Sequence, residues 1–151
     1  MFQQLGKTVS WAKDCGRQPC PANSTDFHTM VVFPHYQTLS LREVEFDPVE
    51  TRLIFYKTLR ELDRIHSKGI IHKDIKMGNI LLHAVTEDFK FFKLELIDWN
   101  LAVFYYTGFE HSKKGGTKCY YSPEILFKTD YLTPATDIWS LGIVMYKFIT
   151  D

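Results

Sequence analysis

An α+β fold, sparse in strand and helical toward its C-terminal end, is what this sequence predicts, and three observations predict it. Apolar runs of strand length stand at Thr29–Phe33, Ile80–Leu82 and Leu94–Ile97. Two helices carry their own start signals, Asp47-Pro48 and Thr133-Pro134. Long polar segments containing glycine separate these elements. The 151 residues suffice for one domain with a real core. At 45% hydrophobic and 24% charged, the composition is that of an ordinary globular protein, and 15% aromatic content argues against disorder. A formal net charge of zero gives no bulk attraction to nucleic acid or to an anionic membrane. No apolar run is long enough to span a bilayer. Neither nucleic acid nor membrane is expected as a partner.

The first 26 residues are the least regular. The segment from Cys15 to Thr25 is rich in Gly, Pro, Asn and Ser and reads as loop or tail. Gly6-Lys7-Thr8 matches the end of a phosphate-binding loop but lacks the first glycine of that pattern. Cys15, Cys20 and Cys119 have neither a secretory signal nor a second pair of zinc ligands near them, so reduced thiols in an intracellular compartment are expected.

The run Thr29–Phe33 is predicted as a strand ending at Pro34. Asp47 then caps a helix whose first position is Pro48, whose apolar face is Phe55, Leu59, Leu62 and Ile65, and which Gly69 ends. Ile70-Ile71 leads into a polar loop from His72 to Asn79. The strands Ile80–Leu82 and Leu94–Ile97 flank a connector, His83 to Lys93, and a mostly irregular segment follows, which at such length is usually functional. The last helix, capped by Thr133, is apolar in nearly every direction from Ile138 and Trp139 to Phe148 and Ile149. Such a helix is expected to be buried on all sides. Three of its large side chains left in water would forfeit roughly 5–9 kcal/mol, so further chain or a partner is expected to cover it.

The loop His72-Lys-Asp-Ile-Lys-Met-Gly-Asn79 puts a carboxylate, an ammonium and an amide together. Phosphoryl transfer calls for such a set, because it depends on positioning and on neutralising charge at the moving group. A carboxylate can orient a hydroxyl and take its proton, a lysine can offset phosphate charge, and an amide oxygen with a second carboxylate can hold magnesium. The second carboxylate is Asp98, directly after the strand ending at Ile97.

On these residues the chain resembles the eukaryotic protein kinases. His-x-Asp-x-Lys-x-x-Asn is similar to their catalytic loop, with Lys73 where arginine is usual. Leu96-Ile-Asp-Trp-Asn-Leu-Ala102 resembles the magnesium-binding Asp-Phe-Gly region. Gly116-Thr-Lys-Cys-Tyr-Tyr-Ser-Pro-Glu124 resembles the end of an activation segment, and Asp137-Ile-Trp-Ser-Leu-Gly142 the start of the helix that organises the lower lobe. Within the superfamily, Ile97-Asp-Trp-Asn-Leu-Ala-Val-Phe-Tyr105 is most similar to the casein kinase II catalytic subunit.

The resemblance implies a protein-kinase-like α+β fold, a hinge plus a mostly helical C-terminal lobe, truncated at both ends. Residues 1–26 would be a tail or degenerate N-lobe remnant, and 27–151 a partial kinase domain. It implies ATP and Mg2+ as cofactors and a protein Ser/Thr substrate. Asp74 would be the catalytic base and Lys76 the contact to the γ-phosphate, with Thr117 completing a serine/threonine-type arrangement. Asn79 and Asp98 would ligate magnesium; Phe33, Pro34 and Tyr36 would line the adenine pocket and hinge. Lys114 and Lys118 would select acidic substrates, while His72, Glu124, Asp137 and Trp139 would be structural. A regulatory subunit or missing N-lobe is an implied partner, and cytoplasm or nucleus the implied location.

The departures set the alternative. No glycine-rich phosphate loop precedes the hinge, and Lys13 is expected to be a surface residue rather than the ATP-binding lysine. Lys73 forgoes the two-pronged phosphate binding of arginine. Asn100 replaces a glycine, a position at which its tolerance of positive φ is expected to preserve the turn. Glu124 is expected to lack the arginine partner it has in the family. A catalytically inactive, kinase-like binding module, or a truncated gene product, is therefore the second expectation.

Overall fold

The computed structural model describes residues 14–19, 27–32, 38–41, 46–84, 92–106, 115–127 and 132–150. It divides into two units, Met1–Gln37 and Thr38–Asp151. In the first, β1 (Asp14–Pro19) and β2 (Phe27–Val32) form an antiparallel pair, with Asp14 opposite Val32 and Pro19 opposite Phe27. This corrects the expectation of loop for residues 15–19; the rest of that segment lies outside the described residues. Gly and Pro weaken a strand's interior but are admitted in a two-stranded ribbon, where every residue is at an edge. Strand β2 begins two residues before the predicted Thr29 and is described to Val32. Lys13, Phe33, Pro34, Tyr36 and Lys114 lie outside the described residues.

The second unit opens with β3 (Thr38–Ser40), which pairs with β5 (Ile80–Ala84); β5 in turn pairs with β6 (Phe92–Leu96), all antiparallel. The predicted strands are thus longer toward their connector, and His83, Ala84, Phe92 and Lys93 belong to the ladder. Strand β6 alternates buried Phe92, Leu94 and Leu96 with more exposed Lys93 and Glu95. That period of two gives the sheet one apolar face, and helix α1 (Pro48–His66) packs against this strand.

Helix α1 starts as its sequence requires. The Asp47 carboxylate accepts from the Val49 and Glu50 amides at 2.7 and 2.8 Å, and Glu50 accepts from the Asp47 amide at 2.9 Å, a reciprocal capping box. Its buried face is Ile54, Phe55, Thr58, Leu62 and Ile65, the apolar members each worth about 1.5–3 kcal/mol on burial. Leu59, expected on that face, is 42% exposed. The inward position belongs to Thr58, whose hydroxyl is buried because it donates to the Ile54 carbonyl at 2.9 Å. After the helix, Gly69 adopts φ +69°, and a Cβ there would stand 3.4 Å from the Tyr105 carbonyl. The turn delivers the chain into β4 (Ile70–Ile71), paired antiparallel with β7 (Val103–Phe104).

Short helix α2 (Pro123–Leu126) precedes α3 (Ala135–Thr150). Thr133 and Pro134 accept from the Thr136 and Asp137 amides, both at 3.1 Å, and so form the entry turn of α3. Its buried residues are Thr136, Asp137, Ser140, Leu141 and Val144, whereas Ile138, Trp139, Tyr146 and Ile149 are exposed. Burial on all sides is therefore not what the described residues show. The inward face carries polar groups because loops supply their partners: Ser140 donates to the Tyr120 carbonyl at 2.8 Å, and Asp137 grips the chain after β4. Farther along, Phe148 meets Phe55 edge-on at 5.6 Å and Phe46 at 5.9 Å. Among the described residues, no helix is long and apolar enough to cross a membrane.

Candidate active site

The loop leaving β4 is anchored from below by one carboxylate. Asp137 is wholly buried and accepts the His72 amide at 2.8 Å on Oδ2 and the Lys73 amide at 2.9 Å on Oδ1. His66 Nε2, in the last turn of α1, lies 2.9 Å from the same Oδ2. Three donors offset the cost of burying this charge. Lys73 sits between them at φ +69°, an uncommon conformation for a residue with a side chain. Burial pushes its ammonium pKa down, against the opposing pull of Asp137. The loop packs so closely on the later segment that a Cβ on Gly116, at φ +99°, would stand 2.8 Å from the Lys73 carbonyl.

His72 has no exposure at all, and its ring joins the loop to the end of β6. Nε2 lies 3.0 Å from the Ile97 carbonyl, while Nδ1 accepts the Asp74 amide at 3.3 Å. A carbonyl can only accept and an amide can only donate, which puts the ring proton on Nε2. The Trp99 ring covers it at 4.6 Å, and burial drives the imidazole pKa below its ordinary value, outweighing nearby Asp137, Asp74 and Asp98. His72 thus stays neutral and serves as a strut.

The strut presents Asp74. Its Oδ2 accepts from Lys76 Nζ at 2.6 Å and from Asn79 Nδ2 at 3.1 Å; its Oδ1 accepts from the Thr117 hydroxyl at 2.8 Å. Lys76 Nζ also reaches Thr117 Oγ1 at 3.4 Å, and Asn79 Nδ2 donates to the Asp74 carbonyl at 2.8 Å. Burial raises the Asp74 pKa, but the bonds from Lys76, Thr117 and Asn79 and the Lys76 charge together overcome it. The net shift is downward, and the carboxylate is held ionised. With Nδ2 committed to Asp74, Asn79 keeps its amide oxygen as the atom for a cation.

Asp98 follows directly from this framework. The Ile97 amide donates to the Asn79 carbonyl at 3.0 Å, so the peptide before Asp98 lies against the backbone at the end of the 72–79 loop. Asp98 itself is exposed and left-handed at φ +61°. This corrects the expectation for Asn100: the positive φ falls on Asp98, and Asn100 lies inside the 3-10 turn Trp99–Leu101. Its role there is a side-chain one, since Nδ2 donates to Asp98 Oδ1 at 2.9 Å.

Among the described residues, no group of three or more His, Cys, Asp or Glu could hold a metal by itself. One amide oxygen and one exposed carboxylate instead suit magnesium, which keeps waters and is commonly held by one or two carboxylates plus substrate phosphates. The donor chemistry therefore fits that ion.

Of the remaining expected residues, Glu124 accepts from the Thr136 hydroxyl at 2.6 Å, where an arginine partner was expected to be wanting. Burial raises its pKa, and hydrogen bonds led by Thr136 bring it below the ordinary value. Trp139 is 47% exposed, unlike the packed neighbour that its helix pattern suggests. Lys118 is exposed in the 3-10 turn beside Thr117. Sequence reasoning missed His66 and Thr136. His66 lies 71 residues from Asp137, and only folding joins them.

Two comparisons with known proteins bear on this arrangement. Residues 23–151 match the family described as protein kinase domain. A probable serine/threonine-protein kinase of Dictyostelium discoideum is 36% identical over 126 residues, which is 80% of this chain and 20% of that protein. The chain thus spans about a fifth of the length of that relative.

Proposed function

The chain belongs to the protein kinase family, and from that membership we propose that it is part of a serine/threonine kinase that phosphorylates protein hydroxyls at Asp74. The observation that carries this is the convergence of Lys76, Asn79 and Thr117 on the one Asp74 carboxylate. An ionised carboxylate fixed from three sides can receive a serine or threonine hydroxyl, orient its oxygen and take its proton as that oxygen attacks. Lys76 sets a positive charge beside the point where phosphoryl charge is carried. Thr117 ties the activation segment to the base through its hydroxyl.

Magnesium-ATP, when bound, supplies the phosphoryl group and most of the charge neutralisation. Asn79 and Asp98 are the residues that would hold the cation. For the substrate, we favour acidic sequences of the kind casein kinase II takes. Lys118 is exposed one residue from Thr117, and its ammonium is the charge complement of an acidic side chain. A regulatory subunit and a cytoplasmic or nuclear setting accompany this reading.

The test is transfer of labelled phosphate from magnesium-ATP to paired Ser/Thr peptides, one acidic and one neutral. Transfer that prefers the acidic peptide and is abolished by Asp74→Asn is the expected result. Absence of turnover alongside intact peptide binding would overturn it in favour of an inactive binding module.

A further inference from the structure

Lys147 stands in the last turn of α3, where a cation suits the helix's negative end wherever its side chain points. This one is committed to a place. Its ammonium lies 4.7 Å from the centre of the Tyr120 ring, within the range of a cation–π contact. A lysine stem can lie on such apolar surface while its charge stays in water. The ring beneath it is fixed in turn. Tyr120 is buried, its carbonyl accepts the Ser140 hydroxyl at 2.8 Å, and its amide donates to the Thr117 carbonyl at 2.9 Å. Thr117 is the residue whose hydroxyl donates to Asp74 Oδ1. Helix α3 therefore sets a positive charge on the 3-10 turn Lys118–Tyr120, which directly follows the residue that touches the base. Lys118 opens that turn and is exposed, and Lys147 is half-buried. Among the described residues, neither forms an ion pair with a carboxylate. Two cations without an anion on one turn leave a positive potential there.

We propose that Lys147 is a specificity-determining residue for the substrate: fixed over Tyr120, it joins Lys118 in binding acidic side chains that flank the target serine or threonine. An aspartate or glutamate carboxylate is the anion that a polypeptide offers to an uncompensated ammonium. The two lysines come from different elements, one from the turn itself and one from the end of α3, so each meets its own position of the substrate. Lys147 owes its place to the Tyr120 ring, and the ring owes its place to Ser140 and to the turn. The inference deepens the proposed function and rests on the reading of the stretch after Thr117 as the part of the chain that the substrate meets.

The experiment is binding of fluorescent peptides to the full chain, read by anisotropy. Each peptide carries one serine, a single aspartate is moved through the flanking positions, and a peptide with only neutral flanks is the reference. Wild type is expected to bind more tightly when aspartate stands in at least two of those positions, a preference that fades as salt is raised. Lys147→Met keeps a stem on the ring without the charge, and should cut the preference at one position by about two- to fivefold, the scale of an exposed ion pair. Lys147→Glu should reverse the preference there, Lys147→Arg should retain it, and Lys118→Met should act at a different position. A preference undiminished in both Lys147→Met and Lys147→Glu would overturn the inference alone and leave acidic selection to Lys118. A wild-type chain that does not favour acidic peptides would overturn the acidic-substrate reading, and the inference with it. Equal loss for every peptide in Lys147→Met, with a lower urea midpoint, would assign Lys147 to stability and overturn the inference.

Discussion

Replacing Asp137 by alanine removes one side chain and strips three donors of their acceptor. The His72 and Lys73 amides lie 2.8 and 2.9 Å from its oxygens, and the carboxylate has 0% exposure, so water does not stand in for it. Each buried amide left unsatisfied costs about 1–3 kcal/mol. The two together cost roughly 2–6 kcal/mol, with His66 adding to it. A domain is stable by only about 5–15 kcal/mol, so Asp137→Ala takes a large share of what holds this unit folded. Urea unfolding should show a lower midpoint at an unchanged slope, and amide exchange should accelerate first at His72 and Lys73. A midpoint shift equivalent to less than about 1 kcal/mol, with those amides still protected, would refute the idea that Asp137 anchors the loop.

Other outcomes follow from the same contacts. The Asp74 pKa lies below its ordinary value of 3.8, so its share of stability is complete above that pH and is lost as pH falls through the lower folded value. Lys76→Met should raise the Asp74 titration midpoint, read by carboxyl carbon shifts; an unmoved midpoint would deny the coupling. The His72 pKa is likewise depressed from 6.5, so at that pH its ring nitrogens should report a neutral imidazole protonated on Nε2 rather than an equal mixture. Gly116→Ala should destabilise by more than about 1 kcal/mol, because its Cβ would meet the Lys73 backbone at 2.8 Å and φ is +99°. Gly142→Ala, mid-helix with nothing within 4 Å, should instead stabilise by about 0.5–1 kcal/mol in the same unfolding assay.

What was legible in the sequence was what local chemistry determines. Asp47, Pro48 and Glu50 announce the start of α1 because the cap is made by neighbours along the chain. The spacing of Asp74, Lys76 and Asn79 announces their cluster because they sit within one loop. Periodicity misled where a polar side chain had a distant or hidden partner. Thr58 displaces Leu59 from the core by bonding to its own helix, and α3 turns Thr136, Asp137 and Ser140 inward because α2, the loop after β4 and the turn at Tyr120 supply their partners. With its polar residues inside, several of its apolar ones are left outside. The strand Asp14–Pro19 was hidden by its Gly and Pro, since pairing with Phe27–Val32 is a tertiary event that propensity does not report. The motif marks Asn100 for its backbone, whereas the structure uses its amide.

The account turns on Asp74, Lys76, Asn79 and Asp98 serving one nucleotide. Backbone amide spectra recorded while magnesium-ATP is added to the chain test this most directly. Shifts concentrated at 72–79 and 97–100, and absent in Asp98→Asn, are the predicted result; shifts confined elsewhere, with those two stretches unmoved at saturation, would contradict it.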